Sequence, residues 1–290
     1  MSNENIKRLT IAAVLALTST ATYAADLSVP IMPQPVEVSG WYLRGDIGFS
    51  NQNVGSLFNS TYSNFTTVTN IDRGFDAAPL FGLGIGYAFN NWLRFDVTGE
   101  YRGAANFKGL DIGTLPAGGC TAPATSCFAT DRYTASKSEW TFLFNGYVDL
   151  GTWYNFTPFV GAGVGVSRNT ISNFGDFSTC IDSSSCALGG SDAFGGTAST
   201  WNLAWALHAG LAYQLSRNVT LELAYRYIDL GKARSGDLVA FDGTNNVNNP
   251  MEFHHLTSND VKLGLRFNFG GFDPYPPRPV YVPPPLNSRG

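Results

Sequence analysis

The 290-residue sequence predicts an all-β fold: an eight-stranded antiparallel up-and-down transmembrane β-barrel with four long extracellular loops. Three observations predict it. Charged residues are only 14% of the chain while aromatics reach 14% and glycines number 32, and past residue 24 no apolar run approaches the ~18 residues of a transmembrane helix. Eight segments of roughly ten residues alternate apolar with polar or glycine positions, the period of a strand with two different faces. The connections between them alternate short and long, as in barrels that put tight turns on one side of a membrane and loops on the other. A net charge of −4 without a basic block argues against a nucleic-acid partner.

Residues 1–24 read as an export signal. Lys7 and Arg8 supply a basic start, Leu9 to Leu17 a short apolar stretch, and Thr22-Tyr23-Ala24 a small-residue exit with cleavage after Ala24. Residues 25–40 are expected to be a periplasmic lead, 41–269 the barrel, and 270–290 a Pro-rich periplasmic tail. The predicted strands are 41–49, 81–89, 93–102, 139–150, 158–167, 201–215, 219–230 and 260–269. In the third, Leu93, Phe95, Val97 and Tyr101 alternate with Arg94, Asp96, Thr98, Glu100 and Arg102. Between the strands, 90–92, 151–157 and 216–218 are short, whereas 50–80, 103–138, 168–200 and 231–259 are long. The long connections 103–138 and 168–200 are rich in Gly, Ser, Thr and Ala and are expected to be mobile outside any disulfide.

The apolar face is expected to point outward. It carries Trp41, Phe89, Trp92, Trp153 and Phe269 toward the short turns and Tyr101, Trp140, Trp201, Tyr225 and Tyr227 toward the long loops, two aromatic belts around an aliphatic band. By strand parity the inward face then holds Arg44, Arg94, Arg102, Arg226, Lys262 and Arg266 against Asp46, Asp96, Glu100, Glu139, Asp149, Glu222 and Asp260. An eight-stranded barrel has room inside for little more than side chains. A selective pore lines itself with one sign of charge, so a near-balanced set reads as mutually paired buried ions; a narrow pore is the alternative. Glycine rows at 82, 84, 86 and 161, 163, 165 would make room for long side chains from neighbouring strands.

No catalytic set is evident, and no cofactor or metal site is assigned. His208 falls on the inward face mid-strand and reads as a hydrogen-bonded interior residue. His254 and His255 lie near Glu252 and Asp260, where metal binding is conceivable, but adjacent histidines on a loop are weak evidence for it. Cys120, Cys127, Cys180 and Cys186 form two close pairs without zinc or redox spacing. In an exported chain the simple reading is two local disulfides, Cys120–Cys127 and Cys180–Cys186, with pairing across the loops or free thiols as the alternative.

Ala25-Asp26-Leu27, the run from Gly40 to Gly48 (Gly-Trp-Tyr-Leu-Arg-Gly-Asp-Ile-Gly), Leu221 to Tyr227 and Val261 to Phe267 resemble the opacity-like outer-membrane β-barrel family, and within it the small surface antigens of alphaproteobacteria. The resemblance implies an eight-stranded barrel in the outer membrane of a Gram-negative envelope, non-enzymatic, with a role in envelope structure, adhesion or surface display; some members bind haem. Expected partners are outer-membrane lipid and lipopolysaccharide, the barrel-assembly machinery, and a host or surface ligand met by the loops. The family usually ends at an aromatic closing strand, here Phe267 and Phe269. This chain continues for 21 residues, seven of them Pro, which cannot form a ninth strand. An extended spacer reaching roughly 60 Å at about 3 Å per residue is expected, with Tyr275, Arg278 and Tyr281 as contacts for a periplasmic partner.

Overall fold

The computed structural model describes residues 40–181 and 191–269. The export signal, most of the lead, Cys186 and the Pro-rich tail lie outside these residues. Eleven strands form one antiparallel sheet: β1 (Gly40–Phe58), β2 (Thr67–Phe75), β3 (Ala78–Ala88), β4 (Leu93–Pro116), β5 (Ser126–Asp149), β6 (Phe156–Cys180), β7 (Asp192–Gly195), β8 (Ala198–Gln214), β9 (Val219–Arg234), β10 (Leu238–Ala240) and β11 (Glu252–Asn268). Eight are the strands read from the sequence, lengthened. They pair in a cycle: β1 with β3, then β4, β5, β6, β8, β9 and β11, which returns to β1 through a ladder from Tyr42↔Asn268 to Phe58↔Glu252. The short β2, β7 and β10 attach to the long-connection end.

At the other end the turns are tight, and side chains hold them. Asn90 Oδ1 accepts hydrogen bonds from the amides of Trp92 and Leu93, at 3.0 and 2.8 Å. Tyr154 and Asn155 supply two consecutive left-handed residues (φ 50° and 69°) that reverse the chain before β6.

Much of the length expected as loop is strand. β4 and β5 run on as a paired ribbon to Pro116↔Ser126, and β6 extends to Cys180. A tilted strand needs only ~9–11 residues to cross a bilayer, so strands of 16 to 25 residues continue well beyond an apolar band. Along them the polarity inverts. In the lower half Val97, Phe142, Phe144, Leu203 and Leu263 are exposed on the outer face, and charged residues are buried inside. In the upper half Phe75, Phe107, Tyr133, Phe174 and Phe253 are buried inside, whereas Lys108 and Arg132 are exposed.

Candidate functional site

The interior is stacked in three storeys. The lowest and largest is a network of ionised side chains. Arg44 lies 2.8 Å from Asp46, 3.0 Å from Asp96 and 3.4 Å from Glu222. Glu222 also meets Arg94 and Arg266, at 3.4 and 3.2 Å, and Arg94 reaches Asp149 at 3.2 Å. Lys262 bridges upward, from Asp46 at 3.3 Å to Glu100. Glu100 and Asp260 both meet Arg226 at 2.6 Å. Arg102 joins Asp260 at 2.7 Å, and also Glu139, which is ion-paired in turn with Lys137. Burial of a charge is tolerable only when it is paired and hydrogen-bonded, and the aromatic rings add to the pairing: the Arg94 guanidinium lies 4.2 Å from the Tyr147 ring centroid and 4.8 Å from that of Phe159.

All thirteen inward charges read from strand parity lie in this network. Parity of the eight predicted segments missed one member, Lys137, because it sits one turn of the ladder beyond the predicted start of its strand. Its inclusion matches the seven carboxylates with a seventh cation.

The glycine rows supply space for these side chains. A Cβ on Gly82 would come within 2.9 Å of Glu100 Cγ, on Gly84 within 3.0 Å of Arg44 Cγ, and on Gly86 within 2.2 Å of Tyr42 Cζ. On the opposite wall a Cβ at Gly163 would meet Asn145 Oδ1 at 2.1 Å. His208 joins the same wall through Nε2, 3.1 Å from Asn145 Oδ1.

Above the ions lies an aromatic layer that the sequence reading did not anticipate. Phe107 packs 5.0 Å from both Phe75 and Phe253, and Phe174 closes the ring at 6.2 Å from Phe253. Lys137 marks the boundary: its ammonium donates to Gln52 Oε1 at 2.7 Å and lies 5.8 Å from the Phe75 ring.

The top storey is a basin of about 380 Å³ among the long connections. Tyr62 Oη donates to Asp111 Oδ2 at 2.7 Å, Asn70 Nδ2 donates to Asp111 Oδ1 at 2.5 Å, and Ser178 Oγ donates to Asp131. Burial raises the Asp131 carboxyl above its ordinary value, with Asp111 adding to the shift.

Cys120 and Cys127 form a disulfide at the tip of the β4–β5 ribbon. Cys180 is disulfide-bonded and packs against that tip; Cys186, expected as its partner, is outside the described residues. His254 Nε2 lies 2.8 Å from Glu252, and among the described residues no group of His, Cys, Asp and Glu is arranged to hold a metal ion. Phe267 and Phe269 are exposed on the outer face of the closing strand, rings 5.6 Å apart.

Residues 10–269 match the family model described as the outer membrane protein beta-barrel domain. The chain belongs to this family. It is 30% identical over 279 residues to an uncharacterized protein of Brucella suis, covering 86% of this chain and 93% of that one. It is also 30% identical over 255 residues to a Rickettsia bellii protein named "Putative adhesin", covering 86% and 96%. Among solved structures it is similar to Neisserial surface protein A, at 18% identity and a TM-score of 0.42, covering 80% of this chain and all of that one. As a member of the family, this chain is an outer-membrane β-barrel protein.

Proposed function

We propose that the protein is a non-enzymatic display barrel: eight strands anchor it in the outer membrane, and four elaborated connections at the extracellular end carry an adhesion or recognition surface. The observation that carries this reading is the division of labour along the strands. The membrane-height interior is filled by seven cations and seven carboxylates in mutual contact, and the aromatic layer caps it. All the elaboration lies at one end. A filled bore is a poor route for solutes and a stiff support for what stands on it.

The orientation follows from the same asymmetry. The short turns would face the periplasm with both termini, and the long connections would face outward. On the outer face Tyr101, Trp140, Arg168 and Trp201 occupy one row across four strands, with Tyr101 and Trp140 rings 4.9 Å apart. A cation between two indoles at that height suits the headgroup boundary of a bilayer, where lipopolysaccharide phosphates would meet it. Phe267 and Phe269 would be read by the assembly machinery as the end of the closing strand.

The test is attachment. A non-adherent Gram-negative host displaying the protein is expected to gain binding to animal cells or extracellular matrix. A variant with the tips of the long connections replaced by tight turns is expected to insert equally well and bind at background level. Equal attachment by both variants would overturn the display reading.

A further inference from the structure

Among the described residues, the walls of the loop-end basin carry two carboxylates, Asp131 and Asp176, and no Lys, Arg or His. The walls also include Tyr62, Tyr133, Ser178 and Asn249, so that every long connection contributes to them.

Two carboxylates there lack the partners that buried ions require. Asp131 is only 6% exposed, and among the described residues it receives a hydrogen bond from Ser178 Oγ and no cation. Asp176 Oδ1 is shielded from solvent, and among the described residues no donor reaches it. Burial, followed by the charges of Asp131, Asp111 and Asp192, pushes the Asp176 carboxyl up to about 8. The contrast with the lower storey is sharp: there each carboxylate meets an Arg or Lys, while here, among the described residues, neither carboxylate has a cation partner. A buried carboxyl without a counter-charge keeps its proton, and an arriving cation favours its ionised form.

We propose that this basin is a binding site for a cationic group, the ammonium or guanidinium of a lysine- or arginine-bearing polypeptide. The inference rests on the display reading and names the chemistry of its partner. The volume suits a whole side chain rather than a bare metal ion, and Tyr62 and Tyr133 in the walls give an alkylammonium or guanidinium stem an aromatic lining.

The experiment uses the full-length, isotope-labelled protein in lipid nanodiscs, titrated with N-acetyl-lysine methylamide and followed by backbone amide shifts. N-acetyl-norleucine methylamide serves as the uncharged control. The lysine compound is expected to shift amides of the basin walls saturably, while the norleucine compound leaves them in place. Added NaCl is expected to weaken the response. Asp131→Asn with Asp176→Asn is expected to weaken binding at least about tenfold, the loss of one good charge contact; this variant removes repulsion and so should fold. Asp76→Asn, exposed between β2 and β3 and outside the basin walls, is expected to bind as the parent does. Equal shifts with both compounds, no saturable response, or unchanged affinity in the double variant would overturn the inference. So would saturation by calcium alone without a response to the lysine compound. Failure here with tip-dependent attachment intact would leave the display reading standing; loss of tip-dependent attachment as well would remove both.

Discussion

Lys137 and Glu139 are ion-paired two residues apart on the inner face of β5, fully buried at the level where the charged storey meets the aromatic one. Glu139 is shared with Arg102, so the lysine is the uppermost member of a continuous chain of ions. Lys137→Met leaves a buried carboxylate with one partner fewer and is expected to destabilise the folded barrel by about 3–5 kcal/mol. Adding Glu139→Gln should recover a substantial part of the loss. Urea unfolding in micelles, read by tryptophan fluorescence, measures both; a single variant as stable as the parent would place Lys137 outside the network.

Gly86 faces Tyr42 with no room for a side chain, whereas a Cβ at Gly45 would meet nothing nearer than Leu83 Cδ2 at 3.5 Å. Gly86→Val is therefore expected to cost about 1–3 kcal/mol by overpacking, and Gly45→Ala close to nothing. The same unfolding assay separates them. Equal effects would contradict the role assigned to the glycine row.

Asp176 gives the loop end a pH dependence. Its carboxyl is raised to about 8 in the folded protein, first by burial and then by its acidic neighbours, against ~3.9 in an unfolded chain. The folded state thus holds the proton more tightly. Its contribution is fully present below pH ~4, falls as pH rises through the interval, and is lost above about 8. Amide exchange in β6 and β7, corrected for intrinsic rates, should quicken from pH 6 to 9 in the parent and change less in Asp176→Asn. Identical pH trends would contradict this.

The β4–β5 ribbon separates a dispensable tip from a structural stem. Replacing 117–125 by a two-residue turn, with Cys127→Ser, is expected to leave a barrel whose electrophoretic mobility still changes on heating. Deleting 105–135 removes Phe107 and Tyr133 and uncovers Phe75 and Phe253, so that variant should lose the aromatic layer and bind a hydrophobic dye. Non-reducing peptide mapping of the parent is expected to show Cys120–Cys127 and Cys180–Cys186; a peptide linking the two pairs would contradict that pairing.

The membrane-height half of the fold was legible in the sequence because there the apolar residues recur with an unbroken period of two. The extensions were not, for two physical reasons. Four strands change phase: β4 at a register shift between Arg102 and Ala105, β6 near Asn173 (φ 52°), β9 at Gly231 (φ 76°) and β11 at His255 (φ 55°). A one-residue bulge moves every later side chain to the other face, and the predicted third and seventh strands end at Arg102 and Leu230, at or beside such points. β5 keeps its phase but inverts its polarity, with Ala135 and Tyr133 buried inside above Lys137 and Glu139. A pattern sought as charged-inside ends at that inversion. The inward charges could be assigned by parity because they lie below the bulges. The basin could not, since its walls come from residues above them and from connections far apart in the chain.

Single-channel recording in a planar bilayer tests the central claim, a bore filled by paired ions and sealed by aromatic rings, most directly. Purified, refolded protein is expected to give no steady open level at moderate voltage. A stable, ion-selective conductance from the native sequence would contradict the filled interior and favour a narrow solute channel.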